Sequence, residues 1–476
     1  MNVAGLFAGQ SVAQPDAIAM GTPDGTISYR DLFARVRRLA AGFTAAGLRE
    51  DEIVALQCDG VDFVCASLAV AWAGGASMSL PNGGMDACRD AGATMFATMR
   101  GPASASERTF TLAQLASAAS QTHPAVQRAP EALWRISFSS GTTGDARTVK
   151  LSQASCLAKA RVLSQLAPLM GEKTVVAMGC AVEFAVAYWF RELSRGAQVE
   201  LAPGPEEALD CLARSDVDLL VTSPRNALQM AARLRGERSD IRRRPRCMLV
   251  GGAALTPAQR RVLRELCQNL WVSYGSTETG LIALLSPQLM DAEPECSGRL
   301  LPGMQAQALD ENGAALVPGE TGRLKFRSPT LASGYAGHAG ADRASQDAFR
   351  DGWFLSKDVG RVDAQGRVFL ASRQDNVVNL GGIKFDPAAA ERFIASQDGV
   401  QECVLVAAER SGGNAELVAV LVAQEACSTQ DIIERCRLEL PAHQVPHRVV
   451  RVDDFPRNDA GKVLRSSLAQ RVRAPA

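Results

Sequence analysis

The sequence predicts a large α/β protein built on parallel sheet, followed by short antiparallel strands and a smaller α+β domain. Three observations predict it. Up to about residue 298, short apolar runs alternate with amphipathic stretches of helical period, the pattern of parallel strands covered by helices. From about Gly298 the texture changes to short strands separated by Asp310-Glu311-Asn312-Gly313, Val317-Pro318-Gly319-Glu320 and Asp363-Ala364-Gln365-Gly366, which reads as a small antiparallel barrel or sheet. After a boundary around Arg373 to Pro387, about a hundred residues carry their own β and α segments, enough for a separate small domain. The length, 476 residues, by itself calls for two or more domains.

In chain order, Tyr29-Arg30-Asp31-Leu32 opens an amphipathic helix to about Gly47, with Leu32, Val36, Leu39, Ala40 and Phe43 at helical spacing. Ile53 to Leu56 is a short apolar strand. Phe63 to Trp72 is a helix whose small residues suit close packing, and Gly74-Gly75-Ala76-Ser77-Met78 leads into the next strand. Residues 100–126, rich in Ala, Ser, Thr and Gln, read as a surface connection. Leu133 to Phe138 is a strand, with Trp134, Ile136 and Phe138 on one side and Arg135 and Ser137 on the other. Thr148 to Leu151 is a second short strand, and Ser152 is the N-cap of an Ala/Leu-rich helix. The alternation resumes with a strand at Val175 to Met178, a helix from Phe184 to Leu193, and strands at Val199 to Leu201, Leu219 to Thr222 and Cys247 to Val250. Gly251-Gly252-Ala253 end the last of these where open α/β sheets bind ligands. Beyond the boundary, Cys403 to Val406 and Leu417 to Val422 are strands, and Thr429 to Leu438 is a helix.

Lys+Arg and Asp+Glu number 51 each, so charge implies neither nucleic acid nor an anionic membrane as main partner. No apolar run is long and charge-free enough to span a bilayer, and the first ten residues lack the features of a signal peptide. Twelve cysteines, scattered without a C-x-x-C pair, read as buried thiols of a cytoplasmic, reducing compartment and not as a disulfide frame or zinc site. Four histidines leave little material for a His-based metal site or a Ser/His triad. The basic run Arg233 to Arg246 is interrupted by Glu237 and Asp240 and reads as solvated surface.

Between the strands ending at Phe138 and starting at Thr148 lies Ser139-Ser140-Gly141-Thr142-Thr143-Gly144. Glycine allows positive φ and close approach of a ligand, and hydroxyls with consecutive N–H groups can wrap a polyphosphate. By itself the run reads first as a polar hairpin loop. It is not a Walker loop, because no G-K-[ST] follows and it joins two strands. Three further stretches follow in order. They are Tyr274-Gly275-Ser276-Thr277-Glu278-Thr279-Gly280; then Asp351 to Asp358 with Arg373-Gln374-Asp375 and Gly381-Gly382-Ile383-Lys384; then Pro456-Arg457-Asn458-Asp459-Ala460-Gly461-Lys462. In this order and spacing the four resemble the AMP-forming acyl-adenylate ligase superfamily, which holds acyl- and aryl-CoA synthetases, luciferases and the adenylation domains of peptide synthetases. The resemblance covers nearly the whole chain.

The resemblance implies an N-terminal domain over residues 1–373, with two doubly wound sheets and a small β-barrel, and a mobile C-terminal α+β domain over 376–476. It implies ATP and Mg²⁺ as cofactors and a small-molecule carboxylic acid as substrate. The acid attacks the α-phosphate to give an acyl-AMP and pyrophosphate, and a pantetheine thiol of CoA or of a carrier protein then displaces AMP. On the same ground Ser139, Ser140, Gly141, Thr142, Thr143 and Gly144 hold the β- and γ-phosphates. Glu278 holds Mg²⁺, a task for a hard oxygen ligand. Thr277 contacts the α-phosphate, and Tyr274 and Gly275 lie at the adenine. Asp358 accepts from the ribose hydroxyls, since an ionised carboxylate is acceptor-only, and Arg373 adds a ribose or phosphate contact. Lys462 bridges the substrate carboxylate and the α-phosphate as a flexible point charge. Asp375 is the hinge, Gly382 lines a thiol channel that a Cβ would obstruct, and Lys384 lies nearby. Taken singly, Lys462 reads as a surface lysine, Asp358 as a turn residue and Glu278 as a helix-start carboxylate; the motif order sets the functional reading above these. The same residues argue against the alternative, a non-catalytic adenylate-binding or regulatory protein on this scaffold.

Three departures from the family pattern stand out. Asp145-Ala146-Arg147-Thr148 replaces x-Pro-Lys-Gly after the loop, keeping a positive charge at Arg147 but losing the Pro and Gly of the turn. The region after Pro81 is short. Cys180-Ala181-Val182-Glu183-Phe184 stands where many members carry an aromatic or His gate, and where amino-acid-activating members carry an Asp for the substrate amine. Counting back from Gly196, Glu183 falls near that Asp. A carboxylate in an acyl pocket is costly unless it meets a cation or hydrogen-bond donors. Glu183, beside Val182, therefore reads either as partner of a substrate amine or as a helix N-terminal residue turned to solvent or to the helix dipole. Small residues at Gly251, Gly252 and Ala253 leave room for an aromatic ring or a moderate chain. The implied substrate is an aryl, medium-size acyl or amino acid.

Overall fold

Two sheets carry the larger part of the chain. In the computed structural model, the described residues are 2–22, 25–79, 84–99, 108–118, 124–138, 147–337, 340–380, 383–409, 415–424, 427–457 and 463–472. Ser139 to Gly144, Gly382 and Lys462 fall outside them.

The first sheet has seven strands, in the order Gly334–Ala336, Thr148–Ser152, Leu133–Phe138, Ala76–Ser79, Ile53–Gln57, Ala93–Thr98 and Thr109–Thr111. Its centre is parallel and its Thr148–Ser152 side antiparallel. The helix Tyr29–Ala45 buries Leu32, Val36, Leu39, Ala40 and Phe43, the residues its periodicity singles out, and Ser28 caps it by accepting from the Asp31 N–H. The helix Gly60–Trp72 is buried from Phe63 to Ala71, as a helix that is apolar all round must be. The polar stretch 100–126 is more than a connection. Thr109–Thr111 pairs with Phe96 to Thr98, and a Thr111/Gln114 capping box starts the helix Leu112–Ser117. Only two buried leucines, Leu112 and Leu115, anchor this helix, too few to register as periodicity. Gly42 admits it: a Cβ there would stand 2.0 Å from the Leu115 carbonyl oxygen.

The second sheet has fourteen strands. Its parallel half runs Ile18–Thr22, Gln198–Leu201, Lys173–Ala177, Leu219–Thr222, Cys247–Val250 and Leu270–Ser276. Its antiparallel half runs Gly280–Leu285, Gly298–Leu300, Arg367–Arg373, Trp353–Val362, Gly322–Arg327 and Gln305–Leu309. Of the two forms expected here, barrel or sheet, the structure takes the sheet: among the described residues the outer strand Gln305–Leu309 does not return to pair with Gly280–Leu285. After the hairpin at Ser276–Gly280 the strands pair in one row, each on the outer side of its neighbour, so the sheet extends and does not close. Gly280 takes φ +68°, and a Cβ on Gly275 would lie 2.1 Å from the Gly280 carbonyl oxygen, so the turn needs both glycines.

Toward the C-terminus, Val400–Glu409 and Ala415–Ala423 pair antiparallel and Arg448–Arg451 joins in parallel. The helices Ala388–Ala395, Thr429–Glu439 and Arg465–Arg471 accompany them. The apolar clusters formed here draw only on residues 378–472 and share none with those formed by residues 3–370. All twelve cysteines are free thiols, ten of them buried. The basic run is answered by Glu206, Asp210, Asp216, Asp218 and Glu265 on neighbouring elements. None of the described helices is long and apolar enough to cross a membrane.

Candidate active site

A cavity of about 480 Å³ opens where the parallel half of the second sheet gives way to the antiparallel half. Val182 and Glu183 follow the strand Lys173–Ala177, Gly252 follows Cys247–Val250, and Tyr274 to Ser276 close Leu270–Ser276. These are the carboxyl ends of parallel strands, where open α/β sheets bind ligands. Of the residues singled out in the sequence, Val182, Glu183, Gly252, Tyr274, Gly275, Thr277, Glu278, Asp358 and Arg373 line this one cavity. Gly251 sits buried behind its wall, where a Cβ would stand 2.7 Å from the Phe184 ring. Ala253 lies outside the lining. Asp375 is in the turn Gln374–Asn376 and Lys384 in the strand Ile383–Phe385; their side chains are not among the described parts of the chain.

On one side of the cavity the polar groups are tied to one another. Asp358 and Arg373 face each other across neighbouring strands. Arg373 Nη1 lies 3.1 Å from Asp358 Oδ1, and Tyr274 Oη donates to Asp358 Oδ2 at 2.6 Å. Burial, and then the adjoining Asp358 charge, hold the Tyr274 phenol well above its usual range, so it remains a donor. Phe326 packs edge-on against the Tyr274 ring at 5.8 Å. Ser276 and Thr279 exchange hydrogen bonds across the turn that carries Thr277 and Glu278, and the Ala332 N–H donates to the Glu278 carbonyl at 2.8 Å. The Glu278 carboxylate accepts from Tyr335 Oη at 3.2 Å. Arg147 in turn lies over the Tyr335 ring at 5.2 Å and reaches its hydroxyl at 3.5 Å. The charge that the altered loop tail keeps at Arg147 therefore meets Glu278 through a neutral phenol, whose ionisation burial and then Glu278 suppress. Sequence reasoning missed Tyr335. Its only signal is its place in Gly334-Tyr335-Ala336, whose strand pairs with Thr148 to Lys150.

On the other side Glu183 opens the helix Glu183–Arg195 and stands at the positive end of its dipole, in keeping with one reading of it, but it is only 9% exposed and is not turned to solvent. Its Oε1 accepts from Lys159 Nζ at 2.7 Å, and its Oε2 lies 3.5 Å from Arg135 Nε. Two cations of the protein thus neutralise the carboxylate, which removes the reason to expect a substrate amine. Lys159, on the helix Gln153–Ser164, is 5% exposed and lines the cavity. Arg135 is fully buried, donates to the Ala181 carbonyl at 2.6 Å and lies over the Phe63 ring at 5.2 Å. Burial lowers its pKa from the ordinary arginine value. Arg135 was legible only as the polar side of an alternating strand; because that strand is central, both its faces are covered. Further along the helix, Tyr188 packs against Phe184 and lines the same cavity.

The family model described as AMP-binding enzyme matches residues 7–336, and the AMP-binding enzyme C-terminal domain matches 389–462. The 2-succinylbenzoate–CoA ligase of Bacillus licheniformis is 30% identical over 47% of this chain and 46% of its own length. The indoleacetate–CoA ligase of Aromatoleum aromaticum is 26% identical over 73% of this chain and 68% of its own. The chain spans about half the length of several curated relatives it matches. Among solved structures, ATP-bound MatB from Rhodopseudomonas palustris superposes with a TM-score of 0.84 at 24% identity over 99% of both chains. The o-succinylbenzoate CoA synthetase MenE from Bacillus subtilis, in complex with its acyl-adenylate, gives 0.82 at 22% identity over 97% of both. The structural likeness carries the fold, the matched models cover most of the sequence, and the chain belongs to the AMP-binding enzyme family, within the acyl-adenylate ligase superfamily its motifs resemble.

Proposed function

We propose that this protein activates a carboxylic acid with ATP and passes the acyl group to a pantetheine thiol. The observation that carries this reading is convergence: Tyr274, Thr277, Glu278, Asp358 and Arg373, drawn from separate parts of the sequence, line one cavity with Val182, Glu183 and Gly252. In the first step a carboxylate oxygen of the acid attacks the α-phosphorus and pyrophosphate leaves. In the second a thiol sulfur attacks the acyl carbon, AMP leaves and the thioester forms. CoA is the favoured acceptor because the relatives above are named CoA ligases; a carrier-protein thiol would serve the same chemistry.

In this reading Asp358, with Arg373 beside it, takes the ribose hydroxyls, the Tyr274 ring meets adenine beside Gly275, and Thr277 meets the α-phosphate. Ser139 to Gly144 take the outer phosphates, and Lys462 bridges the two reacting anions. Gly251, Gly252 and Ala253, with Val182, shape the acid's end of the site. Residues 1–373 and 376–476 act as two domains, with the hinge at Asp375, and Gly382 and Lys384 border the thiol's path. The separate apolar clusters of residues 378–472 support that division. Glu278 fits Mg²⁺: it is a hard oxygen donor, and the partner of its carboxylate, Tyr335, is a neutral hydroxyl that leaves its charge for a cation. Bound there, the ion would neutralise phosphate charge.

Acid-dependent ATP–pyrophosphate exchange, followed by mass detection of a thioester after addition of CoA, tests the proposal. Exchange that needs an acid and disappears in Glu278→Ala supports it. Tight ATP binding with no exchange for any acid would leave a non-catalytic adenylate-binding protein.

A further inference from the structure

The acid side of the cavity carries an imbalance of charge. Arg135 and Lys159 supply two positive charges and Glu183 one negative, so the buried trio is net positive by one. The three side chains are 0%, 6% and 9% exposed, which leaves little water to solvate that charge. The positive end of the dipole of the helix Glu183–Arg195 points at the same place and adds to it. Two thiols near Arg135, Cys156 and Cys180, are pushed above their ordinary range, mainly by burial, and supply no compensating anion. Asp347 also lines the cavity but is held by Arg350 at 2.9 Å.

Donor capacity is also unused. Lys159 makes one hydrogen bond, to Glu183, and its ammonium has two further protons without an acceptor among the described residues. Among the described residues Arg135 Nη1 has no hydrogen-bond partner, and neither has the hydroxyl of Tyr188, a cavity-lining residue that is 1% exposed. Burial holds the Tyr188 phenol protonated, so it too is a donor in waiting. A buried positive charge with spare donors is costly unless an anion with acceptors meets it.

We infer that the acid this protein activates carries a second anionic group, which Lys159 and the Tyr188 hydroxyl receive at the cavity wall. The inference rests on the acid-activating reading and names its substrate class: a dicarboxylic acid, or an acid with an equivalent anionic tail. Glu183 is then a positioning residue. It fixes Lys159 Nζ on the wall and reduces the positive charge without cancelling it.

The test uses two matched sets of acids in the pyrophosphate-exchange assay: hexanoate, adipate and 6-aminohexanoate; and benzoate, terephthalate and 4-(aminomethyl)benzoate. In at least one set the dianion should exceed the neutral-tailed acid by about tenfold in kcat/KM, with the cationic tail worst, the size expected of a charge-assisted hydrogen bond. Lys159→Met should bring the dianion-to-neutral ratio to one or below, Lys159→Arg should keep it above one, and Tyr188→Phe should lower it part-way. The ratio is read within each variant, so partial loss of folded protein does not mimic the effect, and Tyr188→Phe serves if Lys159→Met fails to fold. A wild-type preference for neutral or amino-bearing acids in both sets, or a ratio unmoved by both Lys159→Met and Tyr188→Phe, overturns the inference while leaving acid activation standing. Absence of exchange with every acid overturns acid activation, and the inference with it.

Discussion

The two sides of the cavity solve the burial of charge in opposite ways. On the Asp358 side each charged group already has its answer: Asp358 takes Tyr274 and Arg373, and Glu278 takes Tyr335 backed by Arg147. On the Glu183 side two cations share one carboxylate, and Lys159, Arg135 and Tyr188 keep donors without acceptors among the described residues. A site whose groups are mutually tied is preorganised for a constant ligand, and a site with spare donors waits for a particular one. The difference teaches where generality and selectivity reside. Tyr274, Glu278, Asp358 and Arg373 of the satisfied side lie in the motif stretches read from the sequence, whereas Arg135, Lys159 and Tyr188 of the unsatisfied side lie in none of them.

The comparison can be broken most forcefully by removing one member of the buried trio. Glu183→Gln leaves the buried Arg135 and Lys159 without their shared carboxylate and should cost about 3–5 kcal/mol of stability in urea unfolding. Adding Lys159→Met, which removes one of the two uncompensated cations, should recover part of the loss; a single variant as stable as the parent would mean the trio is not buried as described. Next in size, Glu278→Gln should slow pyrophosphate exchange about a hundredfold, since it removes the carboxylate proposed to hold the Mg²⁺ that would neutralise phosphate charge. Its melting temperature should stay close to the parent's, because the Tyr335 hydroxyl can donate to the amide oxygen as it does to the carboxylate. A smaller effect follows for Tyr274→Phe, which deletes one donor to a charged acceptor that keeps Arg373. The KM for ATP should rise about tenfold, with the KM for the acid little changed.

The smallest effect tests both sides together. All four tyrosines of the chain, Tyr29, Tyr188, Tyr274 and Tyr335, have phenols raised above their usual range, mainly by burial. In the unfolded chain they lose protons near pH 10, whereas the folded chain holds them. The unfolded state then binds fewer protons, so the stability that is fully present below about pH 10 falls as pH rises beyond it. Tyrosinate absorbance should appear together with unfolding; titration near pH 10 in a protein that is still folded would contradict the burial of these rings.

The sequence made the satisfied side legible because each of its residues sits in a short motif at fixed spacing. Tyr274, Glu278, Asp358 and Arg373 are read in line, and the fold then brings them to one cavity. The unsatisfied side was legible only in part. Glu183 stood out by counting from Gly196, but its partners come from a central strand and from a helix 24 residues upstream of it, and no local pattern announces either. Arg135 occupies an alternating strand position that reads as polar-out; only the pairing of that strand on both edges, with helices over it, turns polar-out into buried. The parallel strands were found nearly to the residue at Leu219–Thr222 and Cys247–Val250, where apolar runs are sharply bounded. The helix Leu112–Ser117 was hidden because two leucines carry its packing.

The most direct test of the division between the two sides is to measure the KM for ATP and the KM for the preferred acid in the same exchange assay for Asp358→Asn and Lys159→Arg. The account predicts that Asp358→Asn raises the ATP value and leaves the acid value near the parent's, while Lys159→Arg shifts the acid value and leaves that for ATP. Both variants moving both values by similar factors would contradict it.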